Sequence, residues 1–237
     1  MPLKKLSVFL PVYDEENILI PNTVRLITYL DAHQSNYEII IGSNGSRDRT
    51  PALSRMLSER YNQVVSFHLK EKGVGDAFKH GVQIARGRII VSLDMDLSAN
   101  LSFIERAVEL LDADYDIVVG SKKMGHESRS VFRKLGSDLF ILMARMLMGL
   151  PFEDYSIGAK AYKRDLLLSN IDRIDRGTSY VLNIIQAACR NGKKVIEIPV
   201  RCEDHRQSKF NIVREGLYRF AMLFRLWYVE KACRGDS

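Results

Sequence analysis

The sequence has few cysteines and no cysteine pattern that would bind a metal. Its three cysteines are odd in number and lack the short spacings of zinc ligands (Cys189, Cys202 and Cys233). An odd number without such spacing excludes a zinc finger and a complete disulfide framework. We therefore predict structural thiols in a reducing compartment.

Long apolar runs are absent as well. No stretch reaches the ~18 uncharged apolar residues that a membrane-spanning helix needs. The nearest approach, from Leu139 to Leu150, is shorter and contains Arg145. A first strand is predicted from Leu6, so we expect no secretory signal peptide at the start of the chain. We expect a cytoplasmic protein, peripheral on the cytosolic face of a membrane.

Positive charge is concentrated in one part of the chain. The 237 residues carry a formal net charge of +6. Between Gly120 and Arg145, six basic residues stand against two acidic ones, a local net of +4 (6 − 2). Such an excess suits phosphate groups, an anionic membrane surface or nucleic acid. Nucleic acid is the weakest of the three, because the sequence has no zinc pattern and no aromatic-basic RNA-binding motif.

Short apolar runs alternate with helical patterns through the first half of the chain. Strands are predicted at 6–10, 38–41, 64–68, 88–92 and 117–120, with helices at about 21–33, from 50, and at about 76–85 and 102–111. The first helix is predicted to start near Pro21, because proline suits the first helical position, and Thr50 is predicted to cap the second. This alternation of strands and helices predicts an α/β fold with a mainly parallel sheet and helices on both faces. Ligands bind such sheets at the carboxyl ends of the strands.

Two aspartates follow the predicted fourth strand. On an extended backbone, Asp94 and Asp96 would point their carboxylates to the same side. Two carboxylates so close repel each other unless a cation lies between them. A hard divalent cation, completed by water and phosphate oxygens, fits such a pair. A solvated acidic turn is the alternative. Asp14, Asn44 and Lys122 also follow predicted strand ends.

The second half of the chain has a looser pattern. Helices are predicted at 133–150 and 179–191, a strand at 194–200, and a tail helix from 212 to about 232. The tail is apolar nearly all round, with arginines and Trp227 between the apolar residues. This composition suits a membrane interface or packing on another helix. We expect a main domain over residues 1–211 and a C-terminal amphipathic helix over 212–237, packed on the domain or at the membrane surface.

Four motifs, taken in order, resemble those of the family-2 inverting glycosyltransferases over roughly residues 5–212. They are Val8–Glu16, Ser43–Thr50, Gly73–Gly75 and Asp94–Ser98. The second half resembles the dolichyl-phosphate mannose synthases within that family. Its matching segments are Gly120–Lys122, Arg133 with Ser137, Asp154–Tyr162, Glu197–Val200, and the positions Asp204, Arg206, Ser208 and Lys209.

The resemblance implies a GT-A fold and transfer of a hexose, mannose from GDP-mannose first of all, to dolichyl or polyprenyl phosphate with inversion. It implies Mg²⁺ or Mn²⁺ held by Asp94 and Asp96 with Ser98 nearby, and a membrane surface or membrane-anchoring subunit as partner. It assigns catalysis to Asp96, Arg133, Arg206 and Lys209. It assigns substrate binding to these residues and to Pro11, Tyr13, Glu15, Asn44, Lys72, Asp94 and Lys122.

The sequence departs from the family pattern in two places: Ser43-Asn44 stands where the family usually has two aspartates, and Ile185 stands near the place of the glutamate expected after Tyr180. A non-catalytic nucleotide-binding member is therefore one alternative. A second is a transferase that uses UDP-glucose or UDP-GlcNAc. A third glycosylates a sugar hydroxyl, with a carboxylate of Glu153-Asp154 as the base. A Rossmann dehydrogenase is excluded, because no Gly-x-Gly-x-x-Gly follows the first strand.

Overall fold

The computed structural model describes residues 4–122, 131–155, 157–202 and 212–235. The strands are β1 Lys4–Val12, β2 Tyr37–Asn44, β3 Val64–Leu69, β4 Gly87–Ser92, β5 Ile117–Ser121, β6 Lys160–Lys163 and β7 Val195–Pro199. The helices are α1 Glu16–His33, α2 Thr50–Arg60, α3 Val74–Ile84, α4 Ser102–Asp112, α5 Val131–Met148, α6 Arg164–Ser169, α7 Tyr180–Arg190 and α8 Ile212–Gly235. A 3-10 turn at Ile171–Arg173 joins α6 to the segment before α7.

The strands form one seven-stranded sheet in the order β3-β2-β1-β4-β6-β5-β7. Every pairing is parallel except those of β6, which runs antiparallel to β4 and β5. The predicted α/β fold with a mainly parallel sheet is confirmed. Strand β6 was not predicted, because its four residues, Lys-Ala-Tyr-Lys, have no apolar run.

Two apolar clusters flank the sheet, and alternate side chains of one strand enter different clusters. Val8 and Leu10 of β1 belong to one cluster, and Phe9 belongs to the other. This alternation is the two-residue period of an extended strand covered on both faces. It explains why the central strands read as continuous apolar runs.

Helix α1 begins earlier than predicted. It starts at Glu16, so Pro21 lies inside the helix and not at its first position. The backbone N–H groups of Glu15 and Glu16 donate to Thr50 Oγ1 at 2.8 Å and Asp48 Oδ2 at 3.2 Å. These bonds satisfy N–H groups that a helix start leaves without intrahelical partners. The predicted start near Pro21 was wrong because the caps come from a distant loop.

The second cap prediction was also wrong. Thr50 is the first residue of α2, and its hydroxyl serves α1 instead of capping its own helix. Asp48 accepts the Thr50 N–H through Oδ1 at 2.9 Å, so this aspartate supports the first turns of both helices.

The C-terminal helix α8 packs on the rest of the protein. Leu223 is fully buried, and the ring of Phe220 meets Phe140 of α5 edge-on, with centroids 5.5 Å apart. None of the helices in the described part of the chain combines the length and apolar character needed to cross a bilayer.

Candidate active site

The carboxyl ends of β1, β2, β4 and β5 lie along one edge of the sheet. Asn44 is the last residue of β2, while Asp14, Asp94 and Lys122 follow the ends of β1, β4 and β5 within two residues. The parallel pairing of β2, β1 and β4 brings their ends together. This edge therefore gathers polar residues that are far apart in sequence.

The Asp94–Asp96 pair lies in a turn. The N–H of Leu97 donates to the carbonyl of Asp94 at 3.0 Å, and Leu97 has φ +49°. The predicted extended backbone at this pair was therefore wrong. Leu93, Met95 and Leu97 are buried, whereas Asp94 is exposed and Asp96 is half-buried, so both aspartates still face away from the core.

Asp94 lies against the segment that leads into β6. Its Oδ2 accepts the N–H of Gly158 at 3.2 Å. Solvent still reaches Asp94, but the protein packed around its carboxylate raises its pKa, and the charge of Asp96 adds to this effect. Lys122 and Lys160 oppose the rise. The site therefore combines two interacting carboxylates with two nearby cations.

Lys160 is a buried cation that the sequence prediction missed. It is 3% exposed, and its Nζ donates to the carbonyl of Ile157. Burial lowers its pKa to about 8, although Asp154 and Asp94 counteract this fall. The available signal was the motif Asp154–Tyr162, in which Lys160 stands among small and apolar residues.

Asp154 supports the loop beside Lys122. It is 5% exposed, and its two carboxylate oxygens accept the N–H groups of Lys122 and Ile157, both at 3.2 Å. The Glu197 carboxylate in turn accepts the N–H groups of Glu153 and Asp154, both at 2.8 Å. The loop is thus fixed from β5 and β7, and Asp154 has its oxygens on backbone donors.

The donor set at this edge suits a hard divalent cation held by two protein carboxylates. Asp96 Oδ1 accepts the N–H of Ser98 at 3.0 Å, which fixes that carboxylate within its turn. Among the described residues, no group of three or more His, Cys, Asp or Glu side chains could hold a metal. A cation on Asp94 and Asp96 would take its other ligands from water and phosphate oxygens, as Mg²⁺ does beside phosphates.

A second group of predicted residues lies at the ends of β1 and β2. Lys72 Nζ is 3.6 Å from the centroid of the Tyr13 ring, a cation–π contact. Asn44 is buried, and its Nδ2 donates to the carbonyl of Val12 at 3.0 Å, while its Oδ1 accepts the N–H of Gly73 at 3.4 Å. Asn44 therefore joins the end of β1 to the loop that carries Lys72. Its amide is engaged with backbone.

The remaining predicted residues on this side are Pro11 and Glu15. Pro11 is the second-last residue of β1, paired in register with Gly42, and Glu15 is the residue before α1. Both flank Tyr13 along the chain, at the edge that the two strands share.

Ser43 is hydrogen-bonded to two polar side chains at the position where an aspartate would bring a negative charge. Its Oγ donates to Ser46 Oγ at 3.0 Å and lies 3.0 Å from His68 Nδ1. Ser46 Oγ also accepts the N–H of Asp14 at 3.2 Å. These bonds connect the ends of β1, β2 and β3 through hydroxyl and imidazole groups.

Comparison with known proteins identifies the family. The model of glycosyl transferase family 2 matches residues 7–168, which include most of β1, all of β2 to β6, the aspartate pair and Lys160. The chain belongs to glycosyl transferase family 2. Family membership thus confirms the resemblance carried by the four motifs.

This member of glycosyl transferase family 2 is similar to glycosyltransferase AglD of Haloferax volcanii, with 28% identity over 234 residues. The match covers 94% of the chain but 37% of AglD, so the chain spans little more than a third of that relative's length.

Solved structures share the fold. Glucosyl-3-phosphoglycerate synthase from Mycobacterium tuberculosis, in complex with Mn²⁺ and UDP-glucose, has a TM-score of 0.67 at 18% identity, over 94% of this chain and 79% of that one. Mannosyl-3-phosphoglycerate synthase from Rubrobacter xylanophilus has a TM-score of 0.70 at 12% identity, over 97% and 75%. At these identities the likeness concerns the fold, and the expected GT-A fold is confirmed.

Three predicted cationic residues of this family-2 chain have no described side chain. Arg206 and Lys209 lie outside the described residues, and Arg133 lies in α5 where only the backbone is described. The segment that leads to Arg206 and Lys209 is described up to Cys202, and this part lies next to the turn that follows the aspartate pair. Cys202 forms an antiparallel bridge with Ala99, and the N–H of Asn100 donates to the carbonyl of Arg201 at 3.1 Å.

Proposed function

We propose that this family-2 glycosyltransferase moves a hexose from a nucleotide-diphospho-sugar to the phosphate of a polyprenyl phosphate such as dolichyl phosphate, with inversion. A phosphate oxygen of the acceptor attacks the anomeric carbon from the face opposite the leaving group. The bond from that carbon to the diphosphate breaks, and its electron pair leaves with the nucleoside diphosphate. The single observation that carries this proposal is the Asp94–Asp96 pair beside the two buried cations Lys122 and Lys160.

Asp94 and Asp96 would hold Mg²⁺ or Mn²⁺, with Ser98 fixing the Asp96 side of the turn. The cation, when bound, neutralises charge on the departing diphosphate. The Mn²⁺ and UDP-glucose complex of the mycobacterial synthase supports this assignment. Pro11, Tyr13, Glu15, Asn44 and Lys72 would form the nucleoside side of the donor site, with the Asn44 amide acting through the backbone it holds.

The surroundings of Asp154 support a phosphate acceptor. A hydroxyl acceptor needs a base to take its proton, whereas a phosphate is already an anion at neutral pH. Asp154 is buried with both oxygens on backbone N–H groups, and Glu153 lies 3.9 Å from Arg145. A structure of the mycobacterial neighbour contains phosphoglyceric acid together with Mn²⁺ and UDP-glucose, so this fold can bind a phosphorylated molecule at the same time as a nucleotide-sugar.

Four cations would offset the repulsion between the acceptor phosphate and the donor diphosphate. They are Lys122, Arg133, Arg206 and Lys209. Lys122 is the one whose side chain is described, and it lies close enough to Asp94 to oppose the rise of its pKa. We place Asp96, Arg133, Arg206 and Lys209 among the catalytic residues and mannose from GDP-mannose first among the donors.

Exposed apolar side chains support attachment of this enzyme to a membrane surface. They form an apolar patch on two packed helices, at helical spacing on each: Leu139, Leu142 and Met146 of α5, and Leu217, Phe224 and Tyr228 of α8. Exposed cations on the same helices, Arg145 and Arg225, suit anionic headgroups. We propose that the apolar patch rests on the cytosolic face of the membrane that holds the lipid acceptor.

A donor panel tests the reaction. The purified protein is incubated with Mn²⁺, dolichyl phosphate and labelled GDP-mannose, UDP-glucose or UDP-GlcNAc, and the label entering the organic phase is counted. We expect GDP-mannose to give the strongest signal. Label that enters only a free oligosaccharide would refute the lipid-phosphate acceptor, and nucleotide binding without any transfer would indicate a non-catalytic member.

The aspartate pair is tested in the same assay. The double variant Asp94→Asn, Asp96→Asn should lower the rate of transfer by a factor on the order of 10²–10³. This is the typical effect of removing one group that stabilises the charge of the transition state. Asp172→Asn, on a side chain that is 98% exposed, is the matched control and should leave transfer unchanged. Full transfer by the double variant in the presence of a chelator would overturn the metal-assisted mechanism.

A further inference from the structure

Two loops that are distant in sequence are in close contact. One, which we name the clasp loop, is Asp175–Gly177, between the 3-10 turn and α7. The second, the donor loop, is Glu71–Gly75, between β3 and the first turn of α3. The two are about 100 residues apart in sequence, and they lie outside the aspartate pair described above.

The contact consists mainly of hydrogen bonds from one side chain. Arg176 donates through Nε and Nη2 to the carbonyl of Lys72, both at 3.2 Å, and through Nη2 to Glu71 Oε2 at 2.5 Å. The backbone completes the contact, since Gly75 N–H donates to Arg176 O at 3.0 Å. A guanidinium with two donors on one carbonyl restrains that carbonyl in position and in direction.

The two loops are too close for any side chain at position 75. A Cβ built on Gly75 would be 1.7 Å from the carbonyl oxygen of Asp175 and 2.7 Å from that of Gly177. Both distances are far below van der Waals contact with backbone atoms that cannot move aside independently. Gly75 is therefore required by the close approach of the clasp loop.

The clasp loop is in turn held by α8. Tyr218 of α8 donates its hydroxyl to Asp175 Oδ1 at 3.0 Å, and Gly177 N–H donates to the same oxygen at 2.8 Å. Asn183 of α7 donates to Asp175 Oδ2 at 3.2 Å. A Cβ at Gly177 would be 2.3 Å from the Tyr218 oxygen, so this contact is also tight.

From these contacts we infer that Arg176 is a positioning residue for the donor nucleotide and that Tyr218 links the donor loop to α8. Arg176 fixes the backbone of Lys72, and this places the Lys72 ammonium over the Tyr13 ring. The inference rests on the proposed function, in which Tyr13 and Lys72 bind the donor. In addition, the position of α8, a helix of the apolar patch, would influence the affinity for the donor through the contacts of Tyr218 with the clasp loop and of Arg176 with the donor loop.

Nucleotide binding measured by calorimetry tests the clasp loop without relying on turnover. UDP and GDP are titrated separately, each with Mn²⁺, into the wild-type protein and its variants. Arg176→Ala should raise the dissociation constant of the preferred nucleotide about ten-fold, or about 1.4 kcal/mol. Arg176→Lys should recover part of the loss, because an ammonium can still donate to the Lys72 carbonyl. Arg173→Ala removes an exposed arginine three residues away and should bind like the wild type.

The link to α8 has its own pair of variants. Tyr218→Phe removes the hydroxyl that donates to Asp175 and should raise the dissociation constant about three-fold, less than Arg176→Ala because Tyr218 acts on the donor loop only through Asp175. Ala221→Ser, at an exposed position of the same helix outside the apolar patch, is the control. In transfer assays, both Arg176→Ala and Tyr218→Phe should raise the KM for the donor while kcat at saturation changes less than about two-fold.

The outcomes separate the two proposals. If the wild-type protein binds nucleotide and Arg176→Ala binds it equally well, the positioning role is overturned and the proposed function stands. A lower melting temperature with an unchanged dissociation constant would likewise overturn it, because the clasp loop would then only stabilise the fold. If the wild-type protein binds neither nucleotide, the proposed donor site fails, and the positioning role fails with it.

Discussion

The backbone of Gly158 lies directly against the carboxylate of Asp94. A Cβ built at position 158 would be 2.5 Å from the carboxylate carbon and from both oxygens. The N–H of Gly158 donates to one of these oxygens at 3.2 Å. Glycine is needed here because a carboxylate occupies the space of a side chain. The segment before β6 therefore sets the direction in which Asp94 points.

Gly158→Ala should displace Asp94 and weaken metal binding. The added methyl group must move the carboxylate away from its present position, so the pair formed with Asp96 is disrupted. We expect Mn²⁺ affinity, followed by electron paramagnetic resonance, to fall at least about ten-fold, or about 1.4 kcal/mol. Gly136→Ala in α5 is the control, since a Cβ there meets nothing within 4 Å. Equal Mn²⁺ affinity in Gly158→Ala and the control would contradict this account.

Asn44→Asp introduces the aspartate that the family resemblance leads us to expect and should nevertheless destabilise this protein. The Asn44 amide donates to the carbonyl of Val12, and a carboxylate oxygen placed there would face that carbonyl without a hydrogen. Leaving a buried carbonyl unpaired costs about 1–3 kcal/mol, with a further cost for burying charge. Chemical denaturation should therefore give a lower free energy of unfolding.

A second asparagine serves as the control for that experiment. Asn100 Oδ1 accepts the N–H of Ser102 at the start of α4, an acceptor role that aspartate performs equally well. Asn100→Asp should leave the free energy of unfolding within about 0.5 kcal/mol of the wild type. If Asn44→Asp were equally harmless, the bond to Val12 would not be the reason for the asparagine.

Lys160 should make stability depend on pH in the alkaline range. Its pKa is about 8 in the folded protein and 10.5 as the reference value for an unperturbed lysine. Below pH 8 the ammonium is charged in both states, and its burial cost is fully present. Between pH 8 and 10.5 the folded state releases the proton first, so the free energy of unfolding rises with pH.

The comparison that isolates this effect uses Lys160→Met in the presence of a chelator. The free energy of unfolding of the wild type, minus that of the variant, should increase by up to about 3 kcal/mol from pH 8 to pH 10.5. Lys193→Met, on the exposed turn after α7, is the control, and its curve should run parallel to the wild type. A constant difference between wild type and Lys160→Met would show that Lys160 is not a buried cation.

The apolar patch should determine binding to lipid vesicles. Leu142 and Met146 are 51% and 75% exposed on α5, so charged residues there should not disturb the core. Leu142→Glu with Met146→Glu replaces apolar contact area by like charge and should lower the fraction bound to vesicles of phosphatidylcholine and phosphatidylglycerol about ten-fold. Cosedimentation measures that fraction.

The control for the vesicle experiment is Met56→Glu in α2, another exposed apolar residue that lies outside the patch. It should bind vesicles like the wild type. Equal loss from Met56→Glu and the double variant would point to net charge alone, and no loss from either would exclude the patch as the membrane contact.

Features encoded in consecutive residues were predictable from the sequence. The apolar runs at Ile39–Ile41 and Ile89–Val91 predicted buried strands because a strand covered on both faces has no polar side. The aspartates at 94 and 96 were predictable as a pair because they are two positions apart. The turn that carries them was not, since the left-handed φ of Leu97 has no signal in a leucine.

Features made by contacts between distant segments were not predictable. Lys160 reads as an ordinary lysine in a short polar segment, and its burial results from pairing with β4 and β5. The early start of α1 depends on hydrogen bonds to Asp48 and Thr50. The hydrogen bonds from Arg176 to the Lys72 carbonyl join two loops, and nothing in the sequence of either loop indicates that it contacts the other.

The reversed direction of β6 has a consequence for how this architecture can diversify. Lys160, its first residue, pairs with Ser92 and Val119 near the ends of β4 and β5. The chain therefore passes the edge of the sheet that carries Asp94 just before it enters β6, and its first bond to β5 is made at Ala159, whose carbonyl accepts the N–H of Gly120 at 2.9 Å. Insertions or deletions before Gly158 would change this edge while every strand keeps its register, so chains with this fold could acquire different acceptor sites without a change in the sheet.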